Sequence, residues 1–208
     1  ICKVSKNNTN TCWVLKCDIK KFFASIDHKI LLSILQEYIL DKDIIYLLQN
    51  IIESFNTDIQ MGVGLPLGNL TSQLLSNIYM NFFDQWVKHT LKVKYYIRYA
   101  DDFVFLSQDK NYLKRIIPLV QEFLQINLKL SLHPNKLFLK TIASGIDFLG
   151  WLHFPYRRVL RTKTKQRMLR NIRNSISEER LQSYLGLMRY GKTKKIREKI
   201  MEECWLWS

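Results

Sequence analysis

The sequence is poor in cysteine and in acidic residues, and it lacks long apolar runs. Its four cysteines form no CxxC pair and have no histidine partners at zinc-finger spacing, so a zinc site is not indicated. No apolar segment approaches the roughly 20 residues that a membrane-spanning helix needs, and the N-terminus carries no secretory signal. We therefore expect reduced, mostly packed thiols and a cytoplasmic protein without a membrane partner.

The chain has 18 Asp and Glu residues and 32 Lys and Arg residues, so its formal net charge is +14. Such an excess favours a polyanionic partner, either nucleic acid or an acidic membrane surface. Apolar residues make up 47% of the chain, which is enough for a substantial core. A chain of 208 residues that opens with Ile1 is expected to form one domain with a small appendage, as a segment of a longer protein.

Hydrophobic periodicity divides the chain into strands and helices. Alternating apolar residues predict a strand ending near Asp18. Asp43 is predicted to cap the second helix, and Pro118 to kink or break a later one. The elements expected in order are a strand at 13–18, helices from 26 and 43, a loop at 56–70, a long helix through 74–86, a hairpin at 95–107, a helix at 113–124, short strands at 128–132, 136–140, 146–152 and 157–161, and basic helices thereafter.

Three carboxylates form the most informative pattern. Asp101 and Asp102 are adjacent at the tip of the predicted hairpin, and Asp18 ends the first predicted strand. An Asp-Asp pair alone is most often a solvated turn, but side-by-side carboxylates also suit a hard cation such as Mg²⁺. With a third carboxylate they can hold two divalent ions, which activate an attacking hydroxyl and stabilise a leaving pyrophosphate. That is the chemistry of nucleotidyl transfer.

Five motifs then follow one another along the chain. They are Asp18-x4-Phe23, the segment from Gly64 to Gln73, Tyr99-Ala-Asp-Asp102, Leu130-x5-Lys136 and Gly145-Ile-Asp-Phe-Leu-Gly-Trp151. Their order and spacing resemble the palm motifs of prokaryotic reverse transcriptases over roughly residues 13–161. The resemblance implies an α+β fold, a right-hand polymerase palm of antiparallel sheet packed on helices over 1–161, followed by a basic, mostly helical, thumb-like region over 162–208. It also implies fingers motifs many tens of residues before Asp18, more than the 17 residues that precede it can hold.

The resemblance assigns catalytic roles by position. Asp18 and Asp101 resemble the principal metal ligands and Asp102 a supporting carboxylate, with Ile19 included in the metal set. The implied cofactor is a pair of Mg²⁺ ions, for which Mn²⁺ is a substitute. Lys136 resembles the lysine proposed to protonate the leaving pyrophosphate, and an ordinary solvated lysine is the alternative interpretation.

Four residues are implied in nucleotide binding: Phe23, Leu67, Gly68 and Gln73. Phe23 resembles the steric gate, a ring that excludes a 2′-hydroxyl, and core packing is its alternative. Many reverse transcriptases have Pro-Gln-Gly followed by Ser-Pro where this chain has Pro66-Leu67-Gly68 and later Ser72-Gln73. An aliphatic residue before the glycine resembles the error-prone reverse transcriptases of diversity-generating retroelements. Losing the glutamine amide near the nascent base pair is a physically sensible route to low fidelity.

Two further groups of residues are implied to bind nucleic acid. The turn Phe148-Leu149-Gly150-Trp151 resembles the primer grip, with a core strand as the alternative. Basic side chains after it suit backbone contacts to a duplex, although a solvated helix face would look the same. These basic residues are Arg157, Arg158, Arg161, Lys163, Lys165 and Arg167.

The sequence therefore predicts an RNA-directed DNA polymerase of the diversity-generating type. Its expected partners are an RNA template, a DNA or RNA primer, deoxynucleoside triphosphates and a small basic accessory protein, in a prokaryotic cell or encoded by a phage. The rivals are a reverse transcriptase of a retron, a group II intron or a phage-defence system. A non-catalytic RNA-binding palm is a different class of alternative, and three intact acids argue against it, because desolvated carboxylates without a role destabilise a fold.

Overall fold

The computed structural model describes residues 4–5, 8–55, 61–174 and 177–205, with the side chains of 203–205 excluded. The chain divides into two compact units, one formed by residues 13–139 and the other by 1–12 with 140–208. The strands and helices are β1 (Trp13–Asp18), α1 (His28–Tyr38), α2 (Lys42–Glu53), α3 (Leu70–His89), β2 (Tyr96–Tyr99), β3 (Asp102–Ser107), α4 (Lys110–Leu128), β4 (Phe138–Thr141), β5 (Ile146–Phe148), β6 (Trp151–His153), β7 (Arg158–Leu160), α5 (Thr162–Asn174), α6 (Glu178–Met188) and α7 (Lys194–Trp205).

An antiparallel sheet and the helices packed on it form the larger unit. The strand order is β2-β3-β1-β4, so the first strand of the chain lies inside the sheet. It pairs with β3 from Trp13 opposite Ser107 to Asp18 opposite Asp102. Mixed helices and antiparallel strands confirm the α+β prediction, and the mainly alternating apolar residues of β1 are the reason that one of its faces reaches the core.

Aromatic side chains fill the space between this sheet and its helices. Phe83 of α3 is fully buried, and its ring centroid lies 5.2 Å from that of Phe103 in β3. Trp86, one turn further along α3, stacks on Phe123 of α4 at 4.3 Å. Offset and tilted ring pairs of this kind add to the stabilisation from apolar burial, and they hold α3, α4 and the sheet together.

Two local features differ from the sequence-based prediction. Asp41, rather than Asp43, caps α2, since its carboxylate accepts hydrogen bonds from the Asp43 and Ile44 amides at 2.9 and 3.2 Å. Asp43 instead lies in the first turn, where a negative charge also suits the helix dipole. Pro118 does not break α4, which continues from Lys110 to Leu128.

The short strands also differ in extent from the prediction. The expected strand at 128–132 is wrong, because α4 extends to Leu128 and only the isolated bridge between Ile19 and Leu132 follows. The expected strand at 146–152 is a hairpin of β5 and β6. Its two turn residues, Leu149 and Gly150, have φ of 53° and 79°, the backbone region that tight hairpin turns require.

The smaller unit has its own sheet and core. Strands β5, β6 and β7 form an antiparallel sheet, and helices α5, α6 and α7 follow, of which α5 is strongly basic whereas α6 has two glutamates and one arginine. Its apolar core contains Trp151, Leu160, Met168, Ile172, Met188 and Ile200. A side chain at Gly191 would place its Cβ 2.1 Å from the Trp151 ring, so glycine is required for this close approach.

Cys12 and Cys17 are free and buried, as predicted. Burial raises the pKa of the Cys17 thiol to about 12, so it stays protonated and acts as an apolar packing group. Cys2 and the Cys204 side chain lie outside the described residues. Among the helices that the structure describes, none is long and apolar enough to cross a bilayer.

Tyr79 provides a testable link between α3 and two distant segments. Its buried hydroxyl donates to the Leu128 carbonyl at 2.7 Å and lies 3.4 Å from the Asp27 amide. Tyr79→Phe is expected to destabilise the protein by about 1–3 kcal/mol, because it leaves the buried carbonyl without this donor. Urea unfolding measures the effect, and Tyr46→Phe, which alters an exposed ring, is the matched control. Equal midpoints for the two variants would contradict the expectation.

Candidate active site

Neighbouring strands bring the three predicted carboxylates together. Asp18 is the last residue of β1 and Asp102 the first of β3, and the two are direct cross-strand partners. Asp101 precedes Asp102, and its carbonyl accepts a hydrogen bond from the Ile19 amide at 3.3 Å. Because opposed residues of an antiparallel pair share a face, the Asp18 and Asp102 side chains project from the same side of the sheet.

A two-residue turn carries the Asp-Asp pair. Tyr99 and Asp102 are paired at the ends of β2 and β3, which leaves Ala100 and Asp101 as the turn. Ala100 has a φ of 51°, the left-handed region that residues with a Cβ seldom adopt. The predicted hairpin with acids at its tip is therefore present, with Asp102 already in the strand.

Two lysines supply positive charge to these acids. Lys136 Nζ lies 3.0 Å from both carboxylate oxygens of Asp18, which is buried apart from 7% of its surface. Lys16 Nζ lies 3.3 Å from Asp102 Oδ1. Lys136 was predicted from the sequence and Lys16 was not, although Lys16 lies two residues before Asp18 on the same strand and therefore on the same face.

Burial and mutual repulsion disfavour the charged forms of the paired acids. Burial raises the pKa of Asp101 above its usual value, and the negative charges of Asp18 and Asp102 raise it further. Burial likewise raises the pKa of Asp102, although the Lys16 ammonium opposes the shift. The hydrogen bond to Asp18 raises the pKa of Lys136, so this ammonium remains protonated. Positive charge close to the acids is thus a requirement of the site.

The donor set has the right chemistry for a hard divalent cation, since it offers carboxylate oxygens and no sulfur or imidazole ligand. No group of three or more Asp, Glu, His or Cys side chains within the described ranges is arranged to hold a metal ion. In this structure Lys136 bonds to both oxygens of Asp18, and Lys16 lies beside Asp102. By the chemistry of their oxygen donors, these residues fit a hard divalent cation.

Ile19 has no side-chain ligand atom, and its side chain is 1% exposed in the core. Its amide is engaged by the Asp101 carbonyl, so the carbonyl oxygen is the only group that Ile19 can offer to a metal.

Phe23 lies beside the start of the segment that runs from Gly64 to Gln73. The Phe23 carbonyl accepts from the Leu65 amide at 2.8 Å, and the Ile26 carbonyl accepts from the Gly64 amide at the same distance. The Phe23 ring is half-buried and lies 5.2 Å from that of Phe22, which is in the core. These backbone bonds hold the loop along residues 23–28.

The other three residues of the predicted nucleotide site are exposed. Leu67 is 80% exposed, and Gly68 follows it with a φ of 92° just before α3 begins. Gln73 lies in the first turns of α3, with its amide bonded to the Asn69 carbonyl at 3.2 Å. An isobutyl side chain left in solvent does not contribute to the core, so packing does not explain the leucine.

The primer-grip and basic residues all belong to the smaller unit. Phe148 and Trp151 pair across the β5–β6 turn, and the Gly150 carbonyl accepts from the Arg161 amide at 3.1 Å. The guanidinium of Arg161 forms an ion pair with Asp147. Of the predicted basic residues, Arg157, Arg158, Lys163 and Arg167 are exposed, whereas Arg161 and Lys165 are half-buried.

Comparison with protein families gives a direct match to this arrangement. The family described as Reverse transcriptase (RNA-dependent DNA polymerase) matches residues 2–153, about three quarters of the chain. The chain therefore belongs to the reverse transcriptase family. Members of this family generally use divalent metal ions, in agreement with the carboxylate cluster.

Two relatives share about a quarter of their aligned residues with this chain. A Saccharomyces cerevisiae protein named for intron 2 of COX1/OXI3 is 23% identical over 74% of this chain and 26% of its own length. Protein YkfC of Escherichia coli is 25% identical over 83% of this chain and 53% of its own length. The chain thus spans about a quarter to a half of the length of these relatives.

Solved structures show the same fold. The telomerase of Candida tropicalis without its C-terminal domain matches with a TM-score of 0.58 at 14% identity, over 76% of this chain and 37% of the telomerase. Telomerase from Candida albicans, in complex with a fragment of telomeric RNA, matches with a TM-score of 0.56 at 13% identity, over 96% of this chain and 43% of the telomerase. At such identities the likeness establishes the palm-like fold.

The raised pKa of Asp101 has a measurable consequence for stability. A raised pKa means that the folded chain binds the proton more tightly than the unfolded chain, so the ionised form costs stability above the unfolded value of 3.8. Asp101→Asn is therefore expected to raise the urea midpoint of the metal-free protein at pH 7. The gain should vanish at about pH 3, where the wild-type acid is protonated too.

Glu122→Gln removes an exposed charge from α4 and is the control. A lower midpoint for Asp101→Asn at pH 7, with the control unchanged, would contradict the inferred crowding of negative charge.

Proposed function

We propose that the protein is an RNA-directed DNA polymerase that extends a primer by nucleotidyl transfer with two divalent metal ions. The observation that supports it is the convergence of Asp18, Asp101 and Asp102 in a chain of the reverse transcriptase family. The substrates are an RNA template, a DNA or RNA primer and deoxynucleoside triphosphates. The RNA bound to the Candida albicans telomerase is in keeping with this proposal.

The three acids hold the metal ions, with Mg²⁺ as the physiological cation and Mn²⁺ as a substitute. When bound, the ions lower the cost of bringing a negatively charged triphosphate to the primer hydroxyl. Lys16 keeps the Asp102 carboxylate in place through their ion pair. The Lys136 ammonium, which lies beside Asp18, would serve as the proton donor to the leaving pyrophosphate.

The remaining residues position the substrates. Phe23 presents its half-buried ring to the sugar of the incoming nucleotide and excludes a 2′-hydroxyl. Leu67, Gly68 and Gln73 form the exposed side of the nucleotide site, next to the loop that is bonded to the Phe23 backbone. The turn from Phe148 to Trp151 holds the primer end, and the basic residues from Arg157 to Arg167 contact the phosphates of the duplex.

Primer extension tests the polymerase. The purified protein, in the full length that its gene encodes, is given an RNA template, a DNA primer, four deoxynucleotides and Mg²⁺. We expect cDNA, and we expect Asp101→Asn to lower its rate by a factor of about 100 or more, because the charge that binds the metal is lost. Glu122→Gln should be as active as the wild type. A folded protein that binds RNA but makes no cDNA would favour the non-catalytic palm.

For the subtype, we propose the error-prone enzyme of a diversity-generating retroelement, acting with a small basic accessory protein. The supporting observation is Leu67, an exposed aliphatic residue before Gly68 with no role in the core. The rival is an intron-type reverse transcriptase, and the yeast relative named for an intron favours it. The two differ in the substitutions that they leave in the cDNA.

Leu67→Gln tests the subtype. Restoring an amide beside the nascent base pair adds hydrogen-bonding discrimination, so we expect substitutions opposite template adenines to fall by a factor of about 10 or more. Sequencing of cDNA made with and without the accessory protein measures the error spectrum. Leu74→Gln, which places the same amide on an exposed position of α3, is the control. Faithful cDNA from the wild type would favour the intron, retron or phage-defence alternatives.

A further inference from the structure

Arg98 of β2 joins the sheet to helix α3. Its guanidinium forms a two-pronged pair with Asp84, from Nε to Oδ1 at 2.9 Å and from Nη2 to Oδ2 at 2.7 Å. The Arg98 side chain is only 9% exposed. Such parallel hydrogen bonds fix the plane of the guanidinium as well as its position.

The third nitrogen of Arg98 reaches the catalytic turn. Nη1 donates to the Ala100 carbonyl at 3.1 Å and to Asn77 Oδ1 of α3 at 3.2 Å. Ala100 immediately precedes Asp101. One planar group therefore connects a long helix to the peptide unit that carries the first of the paired acids.

Asp84 is itself held firmly. The Tyr96 hydroxyl donates to Asp84 Oδ1 at 2.7 Å, and the Tyr96 ring stacks on Phe105 at 5.1 Å. Burial, together with the Asp84 carboxylate, raises the pKa of Tyr96, so its hydroxyl stays protonated and remains a donor. Asp84 thus offers Arg98 an acceptor that is fixed relative to the sheet.

The turn needs such support because of its backbone. Ala100 has a φ of 51°, a conformation that is sterically unfavourable for an L-residue with a Cβ. Glycine or asparagine usually occupies such positions, whereas alanine has no side-chain group that can stabilise the turn locally. A hydrogen bond to the Ala100 carbonyl from an immobilised guanidinium supplies that stabilisation.

We propose that Arg98 is a positioning residue, which holds Ala100 in the left-handed conformation and thereby directs the Asp101 carboxylate into the metal site. Asp84 and Tyr96 are the anchor through which α3 sets the orientation of the turn. The effect on catalysis rests on the role proposed above for Asp101, whereas the effect on the backbone of the turn does not.

Arg98→Lys is the informative variant. A lysine keeps the positive charge beside Asp84, so no buried acid is left unpaired, but a single ammonium cannot bridge both Asp84 oxygens and the Ala100 carbonyl. Ala100 is then free to leave the strained region. We expect kcat to fall about tenfold to a hundredfold with little change in the KM for nucleotides, because Asp101 is displaced while the nucleotide site is intact.

Ala100→Gly provides the rescue. Glycine adopts a positive φ without the steric cost, so Ala100→Gly in the Arg98→Lys background is expected to restore most of the lost kcat. In the wild-type background the same change should alter kcat less than threefold. A residue that merely stabilised the fold through Asp84 would not be rescued at position 100.

Asn77→Ala, which removes the other acceptor of Arg98 Nη1, should leave kcat within threefold of wild type.

A measurement independent of catalysis reports the turn directly. In the full-length protein labelled with ¹³C-alanine, the signal of Ala100 is assigned as the one that Ala100→Gly removes. The carbon shifts of Ala100 should mark the left-handed conformation in the wild type and move in Arg98→Lys. If Arg98→Lys is unstable, the double variant Arg98→Met with Asp84→Asn gives the same test. It replaces both members of the ion pair by neutral side chains, so no charge is left without a partner.

The outcomes separate the two proposals. An unchanged Ala100 signal in both replacements of Arg98, or a loss of kcat that glycine does not rescue, would overturn the positioning role. A wild-type protein without polymerase activity whose Ala100 signal still depends on Arg98 would refute the proposed function and leave the conformational role of Arg98 in place.

Discussion

Repulsion among three carboxylates is the constraint on which the active-site end of the sheet depends. The pairing of β1 with β3 places Asp18 opposite Asp102, and the adjoining turn adds Asp101. Opposed like charges destabilise a sheet unless cations or hydrogen bonds offset them. Lys136 and Lys16 supply the charge in the metal-free protein, from a segment after α4 and from β1 itself. Lys136 pairs with Asp18 and Lys16 pairs with Asp102, so each lysine offsets the negative charge of a different acid.

Helix α3 provides the rigid reference for this arrangement. Its buried face packs on the sheet through Phe83, while its polar edge carries the partners of Arg98. Its Tyr79 hydroxyl reaches the end of α4. The helix begins directly after the exposed Leu67-Gly68 segment, so one element fixes both the proposed nucleotide loop and the Asp-Asp turn. A displacement of α3 would therefore move both the Leu67-Gly68 segment and the Asp-Asp turn.

Much of this architecture could be predicted from the sequence, because apolar residues recur with clear strand and helix periods and the five motifs follow one another in a recognisable order. The strand ending at Asp18 and the acid-tipped hairpin are evident from alternating apolar residues. Boundaries were less accurate, because Asp41 and Asp43 are equally good caps by residue type and only geometry selects between them. The strand expected at 128–132 failed because Leu128 belongs to the buried face of α4, which ends with Lys129 as its C-cap.

Within the site, the sequence named the acids but not most of the groups that balance and orient them. Lys136 is 118 positions from Asp18, and a motif was needed to associate them. Lys16 has no motif, and only its register relative to Asp18 indicates its role. Nor does any motif indicate the proposed role of Arg98, which rests on its contact with a carboxylate of α3 and on the backbone angle of Ala100. Such couplings are properties of tertiary structure.

The inner position of β1 has a consequence for how the protein is made. This strand leaves the ribosome before its partner β3, which begins at Asp102 after helices α1, α2 and α3. Its ladder hydrogen bonds must wait until that stretch has been synthesised, which at roughly 5–20 residues per second takes several seconds. Pairing over such sequence separations is also slow, because the loop-closure entropy precedes the gain. Until β3 has been made, the apolar face of β1 stays uncovered, so this strand needs protection from aggregation during translation.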